Sequence, residues 1–311
     1  MFRVVVIIGA VLLTVYYAPA LDPRILAARQ QANAVSLALA DSPEEEFYCP
    51  MDRDVRAPIA GFCPRCGMRL VRGLKEVTPY PLTLDVKTPA ANQPEWKRIT
   101  FEVRHPKTGE PVRDFEVVHE KLYHVFVVSQ DLTFFLHTHP ERHRGEDFHV
   151  DVHFPKPGTY RLLSDFYPHD GGPQLIKSTV TISGEDAGLQ KVQLRPDVRP
   201  RQTENAQVEF QDPHISVVAG RKTALGFRVT PDDGLEPYLG TMAHVLAVSA
   251  DLTEMIHSHP SQVFDEVGGQ AKDLSIDGMV FPNPGIYRIW IQFQRRGVVN
   301  TAFFDVPVSA P

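Results

Sequence analysis

All three cysteines of this chain fall between positions 49 and 68, in Cys49-Pro50-Met51 and Gly61-Phe62-Cys63-Pro64-Arg65-Cys66-Gly67-Met68. Cys63 and Cys66 form a C-x2-C turn, a spacing at which two thiolates grip one soft metal ion from the same side. Cys49 can close the site as a third ligand. Met51 and Met68 each stand two residues after a cysteine. Thioether sulfur is a poor ligand for zinc and a good one for Cu(I), so the set suits copper or another soft ion. A zinc knuckle that only folds its own segment is the alternative. A redox-active C-x2-C or a Cys63–Cys66 disulfide has the same spacing but lacks the βαβ context of such motifs. Gly61 and Gly67 supply backbone freedom for the turns.

A second constellation is made of imidazoles. His137-Thr138-His139-Pro140 recurs as His257-Ser258-His259-Pro260, and each is preceded by another histidine, His124 or His244. On a strand, residues two apart point the same way, so His137 and His139 share a face, as do His257 and His259. Three imidazoles on one face suit Cu(II), zinc or nickel. A hairpin turn centred between residues 130 and 131 would set His124 directly opposite His137, and the same arithmetic sets His244 opposite His257. The competing reading is a satisfied core histidine in an apolar strand, duplicated with its domain. Against it, all three histidines persist in both copies while neighbours differ, Phe134-Phe135 against Glu254-Met255. The first copy also carries His143, His149, His153 and His169, and in the second Met242 stands two residues before His244.

These side chains must be positioned by strands. From Tyr80 onward, apolar and polar residues alternate between turn signals, and 27 prolines spread along the chain favour short strands over long helices. The block from His124 to Pro140 repeats at an offset of 120 without a gap. Phe154-Pro155-Lys156-Pro157-Gly158-Thr159-Tyr160-Arg161 recurs as Phe281-Pro282-Asn283-Pro284-Gly285-Ile286-Tyr287-Arg288, and Ile99–Val103 matches Leu225–Val229. Length differences therefore fall in loops, and the shared blocks read as strands. The expected fold is all-β: two tandem immunoglobulin-like β-sandwich domains, at 78–184 and 204–311, preceded by a small Cys/Met metal-binding knuckle at 46–74. Residues 21–45 read as a spacer. Residues 1–20, with the apolar run Val4–Tyr17 and Ala18-Pro19-Ala20, read as a signal peptide or N-terminal anchor, which implies a periplasmic or secreted protein.

The cysteine segment resembles the small heavy-metal-binding domain found at the N-termini of copper/silver efflux adaptors and some copper-transporting P-type ATPases. The resemblance rests on Cys49-Pro50-Met51 and on Gly61 through Val71. That family has His-Pro after its Cys-Pro-Met, where this chain has Asp52-Arg53. The β-repeats resemble more loosely the exported immunoglobulin-like copper carriers of the CopC type. The resemblance implies metal handling, with a metal-efflux or metal-delivery protein as partner.

With a net charge of −6 and no basic stripe, nucleic acid is excluded as a partner. The expected function is an exported, non-enzymatic metal-binding protein that sequesters or transfers copper, with Cu(I) at the knuckle and Cu(II) or zinc at the His clusters. A cupin-like metalloenzyme would need a histidine after its P-x-G turn, where Tyr160-Arg161 and Tyr287-Arg288 stand. A zinc-stapled adhesion or scaffold protein is the third reading, favoured if His124 lies far from His137.

Overall fold

The computed structural model describes residues 46–49, 55–63, 69–73, 82–87, 96–142, 147–169, 172–183, 193–212, 214–260 and 273–311. The expected leader and spacer, and Met51, Cys66, Met68 and His143, lie outside the described residues. Among those described, no helix is long and apolar enough to cross a membrane.

The knuckle is a three-stranded antiparallel sheet. β1 (Glu46–Tyr48) lies between β2 (Arg56–Ala57) and β3 (Val71–Gly73). The first repeat places β4 (Leu82–Lys87), β5 (Trp96–Val103) and β8 (Phe148–His153) in one sheet. The other contains β6 (Tyr123–Ser129), β7 (Phe135–Thr138), β9 (Gly158–Phe166) and β10 (Gln174–Ile182), in the order β10-β9-β6-β7. The second repeat has one sheet of β11 (Arg201–Gln202), β12 (Gln207–Phe210), β14 (Lys222–Thr230) and β18 (Asp273–Val280). Its other sheet runs β13 (Val217–Val218), β20 (Val298–Ser309), β19 (Gly285–Arg295), β16 (His244–Ser249), β17 (Met255–Ser258), with β15 (Leu235–Glu236) also on β19. The two sheets of each repeat, antiparallel except where β13 runs parallel to β20, form an immunoglobulin-like sandwich, as the alternation and repeat predicted.

Each sandwich closes on its own core. Ile99, Phe101, Tyr123, Val125, Val127, Phe148 and Leu162 fill the first, and Phe227, Val245, Ala247, Ile276, Ile289, Ile291 and Phe304 fill the second. Tyr160 Oη donates to the Lys156 carbonyl at 2.8 Å, and Tyr287 Oη donates to the Asn283 carbonyl at 3.0 Å. Each ties the entry of a strand to the preceding turn, as a tyrosine corner does. The duplicated Pro-Gly-x-Tyr block thus has a structural use in both copies. Tyr287→Phe is expected to cost about 1 kcal/mol by removing a buried hydrogen bond. Urea unfolding would measure it, and an unchanged midpoint would refute it.

Every residue of β6 and of β16 is buried. A strand that faces water on one side alternates; these two do not, because both of their faces are covered. Tyr123, Val125 and Val127 point into the first core, and Phe126 and Val128 point away from it. The outward set meets Leu246, Val248, Leu252, Met255 and Trp290 of the second repeat, in one cluster with Leu132 and Leu163. Phe135 and Trp290 stack with centroids 5.1 Å apart and planes 12° apart. The repeats are therefore packed sheet against sheet.

The hairpin register differs from the expected one by two residues. Phe126 stands opposite His137 and Val125 opposite Thr138, which brings His139, not His137, level with His124. Leu246 stands likewise opposite His257. The cause is a longer turn. Ser129 pairs with Phe134, and Leu132 takes a left-handed φ of 57°. Asp131 Oδ1 accepts from Ser129 Oγ at 2.6 Å and Thr133 Oγ1 at 2.8 Å. Ser249, Asp251, Leu252 and Thr253 repeat that geometry. An even shift keeps every side chain on its face, so the grouping of the histidines survives it.

Candidate metal centre

In the knuckle, Cys49 and Cys63 are buried at 0% and 2% exposure and pack with Leu70. The Cys49 amide donates to the Val55 carbonyl at 3.0 Å, and the Leu70 amide donates to that of Gly61 at 2.8 Å. Phe62 forms an isolated bridge with Arg69, so the chain just before Cys63 runs beside the chain at Arg69. The sheet thus brings two thiols distant in sequence into one small cluster.

The imidazoles gather on the outward faces of the two packed sheets. His124, His137 and His139 offer ring nitrogens that all lie within 4.8 Å of one another, and so do His244, His257 and His259. The groups face each other. Ring centroids of His137 and His244 are 4.9 Å apart, those of His124 and His244 6.2 Å, and those of His137 and His257 6.3 Å. What the sequence presents as two clusters is one buried compartment between the repeats. His119 joins it, 4.0 Å from His259 and 5.4 Å from His244 by ring centroid.

Hydrogen-bond partners fix several tautomers. A carbonyl oxygen only accepts, so His124 Nε2, 2.9 Å from the Val118 carbonyl, carries the proton and Nδ1 is a lone pair. His244 repeats this with the Tyr238 carbonyl at 3.1 Å. Gln292 Nε2 donates to Thr301 Oγ1 at 3.1 Å, which turns Gln292 Oε1 toward His137 Nδ1 at 3.1 Å. His137 therefore donates from Nδ1 and keeps its lone pair on Nε2. His257 donates from Nδ1 to Asp165 Oδ2 at 2.8 Å. Asp165 and Gln292 sit at equivalent positions, opposite His124 and His244 in the neighbouring strands, and each serves a histidine of the other repeat.

Two lone pairs then face each other: His124 Nδ1 and His137 Nε2 are 3.3 Å apart. A tetrahedral ion with bonds of about 2.0–2.1 Å separates its nitrogens by about 3.3 Å. His244 Nδ1 and His259 Nε2, at 2.6 Å, are at hydrogen-bonding distance and would open to take an ion. His119 Nε2, His139 Nε2, His257 Nε2 and His259 Nδ1 are buried with no hydrogen-bond partner in the protein. Each such atom costs about 1–3 kcal/mol, a heavy load for a fold stable by about 5–15 kcal/mol. Donors on one ring nitrogen and lone pairs converging on the other are what a metal ligand requires. Burial, reinforced by the neighbouring rings, pushes His119, His137, His244 and His259 well below the usual imidazole range. It lowers His124 to about 4 and His139 to about 3. At neutral pH these six are uncharged, the form that binds metal. The residues fit an ion.

Other candidates lie elsewhere. Met242 is in the core of the second repeat. His153 packs on Trp96, His149 lies on β8, and His169 pairs with Glu116. His119, Asp165 and Gln292 escaped the sequence reading. His119 has Leu239 as its counterpart, so a search for histidines kept in both copies passes over it. Asp165 and Gln292 differ from each other, and only the repeat offset links them.

Residues 75–184 and 201–310 each match the family described as Domain of unknown function (DUF8832), and residues 47–72 match the Heavy metal binding domain. No curated protein matches. Among solved structures, a chimeric titin Z1Z2-Z1Z2 tandem is 10% identical, covering 75% of this chain and 100% of its own at a TM-score of 0.19. A two-domain fibronectin type III segment from chicken tenascin is 13% identical, covering 73% and 99% at 0.19. At these scores the likeness bears on no residue of the site.

Proposed function

Given that the chain belongs to the DUF8832 family, with two tandem copies behind a heavy metal binding domain, we propose that it is an exported copper-binding protein. It sequesters the ion or passes it to a metal-efflux or metal-delivery partner. Metal binding as such follows from the domain at 47–72. The reading that the β-repeats bind metal as well is carried by the buried compartment of seven imidazoles, four of which have a ring nitrogen with no partner in the protein. The separation that would have favoured a scaffold is absent, since His124 and His137 are 3.3 Å apart.

Softness divides the labour. Cys49, Cys63 and Cys66, with Met51 and Met68, suit Cu(I), and the imidazoles suit Cu(II), Cu(I) or zinc. Charge limits the loading. At an effective dielectric of about 20, two monovalent ions about 5–6 Å apart repel by about 3 kcal/mol and two divalent ions by about 12 kcal/mol. Asp165 is the one carboxylate hydrogen-bonded to these rings among the described residues. Two Cu(I) ions can therefore load together, whereas divalent ions load one triad first.

Competition titration of the whole protein with Cu(I) tests the division. Cys63→Ala with Cys66→Ala is expected to remove one tightly bound Cu(I) and to leave the imidazole-bound ion in place. Unchanged Cu(I) binding in that variant would sink the role given to the knuckle.

A further inference from the structure

The two triads are related by the repeat but are not equal, because His119 has no counterpart. Val118 and Lys121 exchange backbone hydrogen bonds at 2.9 and 3.1 Å around a two-residue turn whose centre is His119-Glu120. Both central residues are left-handed, with φ of 48° and 63°. Such a turn prefers Asn-Gly or another glycine-containing pair, and the equivalent turn of the second repeat has Leu239-Gly240, with φ of 54° and 74°. Two consecutive non-glycine residues in this region are strained, and the strain persists only where the surroundings over-determine it. Here it delivers an imidazole. His119 is 8% exposed, hydrogen-bonded to the backbone of Leu239, and its Nε2 has no partner.

Resting on the metal-binding reading above, we propose that His119 crosses from the first repeat to complete the triad of the second. His119, His244, His257 and His259 then form a closed four-imidazole site, and His124, His137 and His139 form a three-imidazole site with an open position. A tetrahedral ion holding imidazoles at about 2.0–2.1 Å puts ring centroids about 5 Å apart. His119–His259 and His119–His244 are 4.0 and 5.4 Å apart, His244–His259 and His257–His259 are both 4.4 Å apart, and His244–His257 are 5.8 Å apart. From the first triad, the nearest contact of His119 is longer, 6.1 Å to His124. Closed sites fix structure, and sites with an open position exchange ligands. The second-repeat ion thus joins the two repeats through residues of both, and the first-repeat site is where metal enters and leaves. Each triad has one half-buried member, His139 in the first and His257 in the second, but the His257 side chain is only 3% exposed and is held on Asp165.

Cobalt(II) is the probe, because its absorption distinguishes four-coordinate from water-completed sites. The full chain is used, with Cys49, Cys63 and Cys66 changed to Ala to silence the knuckle. The first equivalent is expected to give a four-coordinate spectrum. His119→Leu, which copies the residue already tolerated in the equivalent turn, is expected to weaken that ion at least about 10-fold and to lose its spectrum. His153→Ala, on β8 outside the compartment, is expected to change neither. A His119→Leu protein with unaltered affinity and spectrum would overturn the assignment while leaving metal binding intact. No cobalt bound by the unsubstituted compartment would overturn both.

Discussion

Replacing one imidazole in each triad, His137→Ala with His257→Ala, is expected to weaken metal binding between the repeats by about 100- to 10,000-fold. Losing a supporting group of a ligand costs about 10- to 100-fold, and a ligand itself costs at least as much. Both residues are doubly placed: each offers a lone pair to the compartment and holds a partner on the opposite repeat, Gln292 for His137 and Asp165 for His257. Isothermal titration of the cysteine-free chain measures the effect, and binding within 3-fold of the parent would refute it. Asp165→Asn separates positioning from packing. The amide oxygen can still accept from His257 Nδ1, but the negative charge beside the ring is gone. Metal affinity is expected to fall about 10- to 100-fold. Stability of the metal-free protein should hold or rise, since Asp165 is 8% exposed and its Oδ1 has no partner. A simple structural role predicts the reverse: lower stability and unchanged affinity.

Chelator-treated protein is expected to lose stability steeply as pH falls below 6.5. The unfolded chain takes up protons on its histidines through that value, whereas burial keeps His124 neutral down to about 4 and His139 to about 3. Across the window the unfolded state binds more protons, so stability rises with pH and is fully present only above 6.5. At pH 5 each such histidine costs about 2 kcal/mol, and several share the compartment. Unfolding near pH 5 is the expected result, above the range in which ordinary carboxylates protonate. Urea midpoints measured from pH 7 to 5 would test it, and a flat profile would refute it. Bound metal should carry the transition to lower pH, because ligated imidazoles take no proton until the ion leaves.

Much of this was legible in the residues. Alternation and turn signals gave the strands, the offset of 120 gave the duplication, and a period of two put His137 and His139 on one face whatever the register. The double burial of β6 is an outcome of the structure, which covers both faces of Tyr123–Ser129. The register was not legible either, because it depends on Leu132 adopting a left-handed turn that only the Asp131 side-chain bonds reveal.

The knuckle is local in part. Its Cys-x2-Cys spacing and flanking methionines can be read from the sequence, whereas Cys49 joins Cys63 only through the sheet. The histidines are different. Their faces follow from the chain, but what covers those faces does not. Only the packing of β6 on β16 decided that two triads become one compartment and that Asp165 and Gln292 serve the opposite repeat. The same packing delivers His119 across the interface. Those contacts join residues 92 and 155 positions apart. Periodicity reports the direction of a side chain and is silent about the surface that meets it.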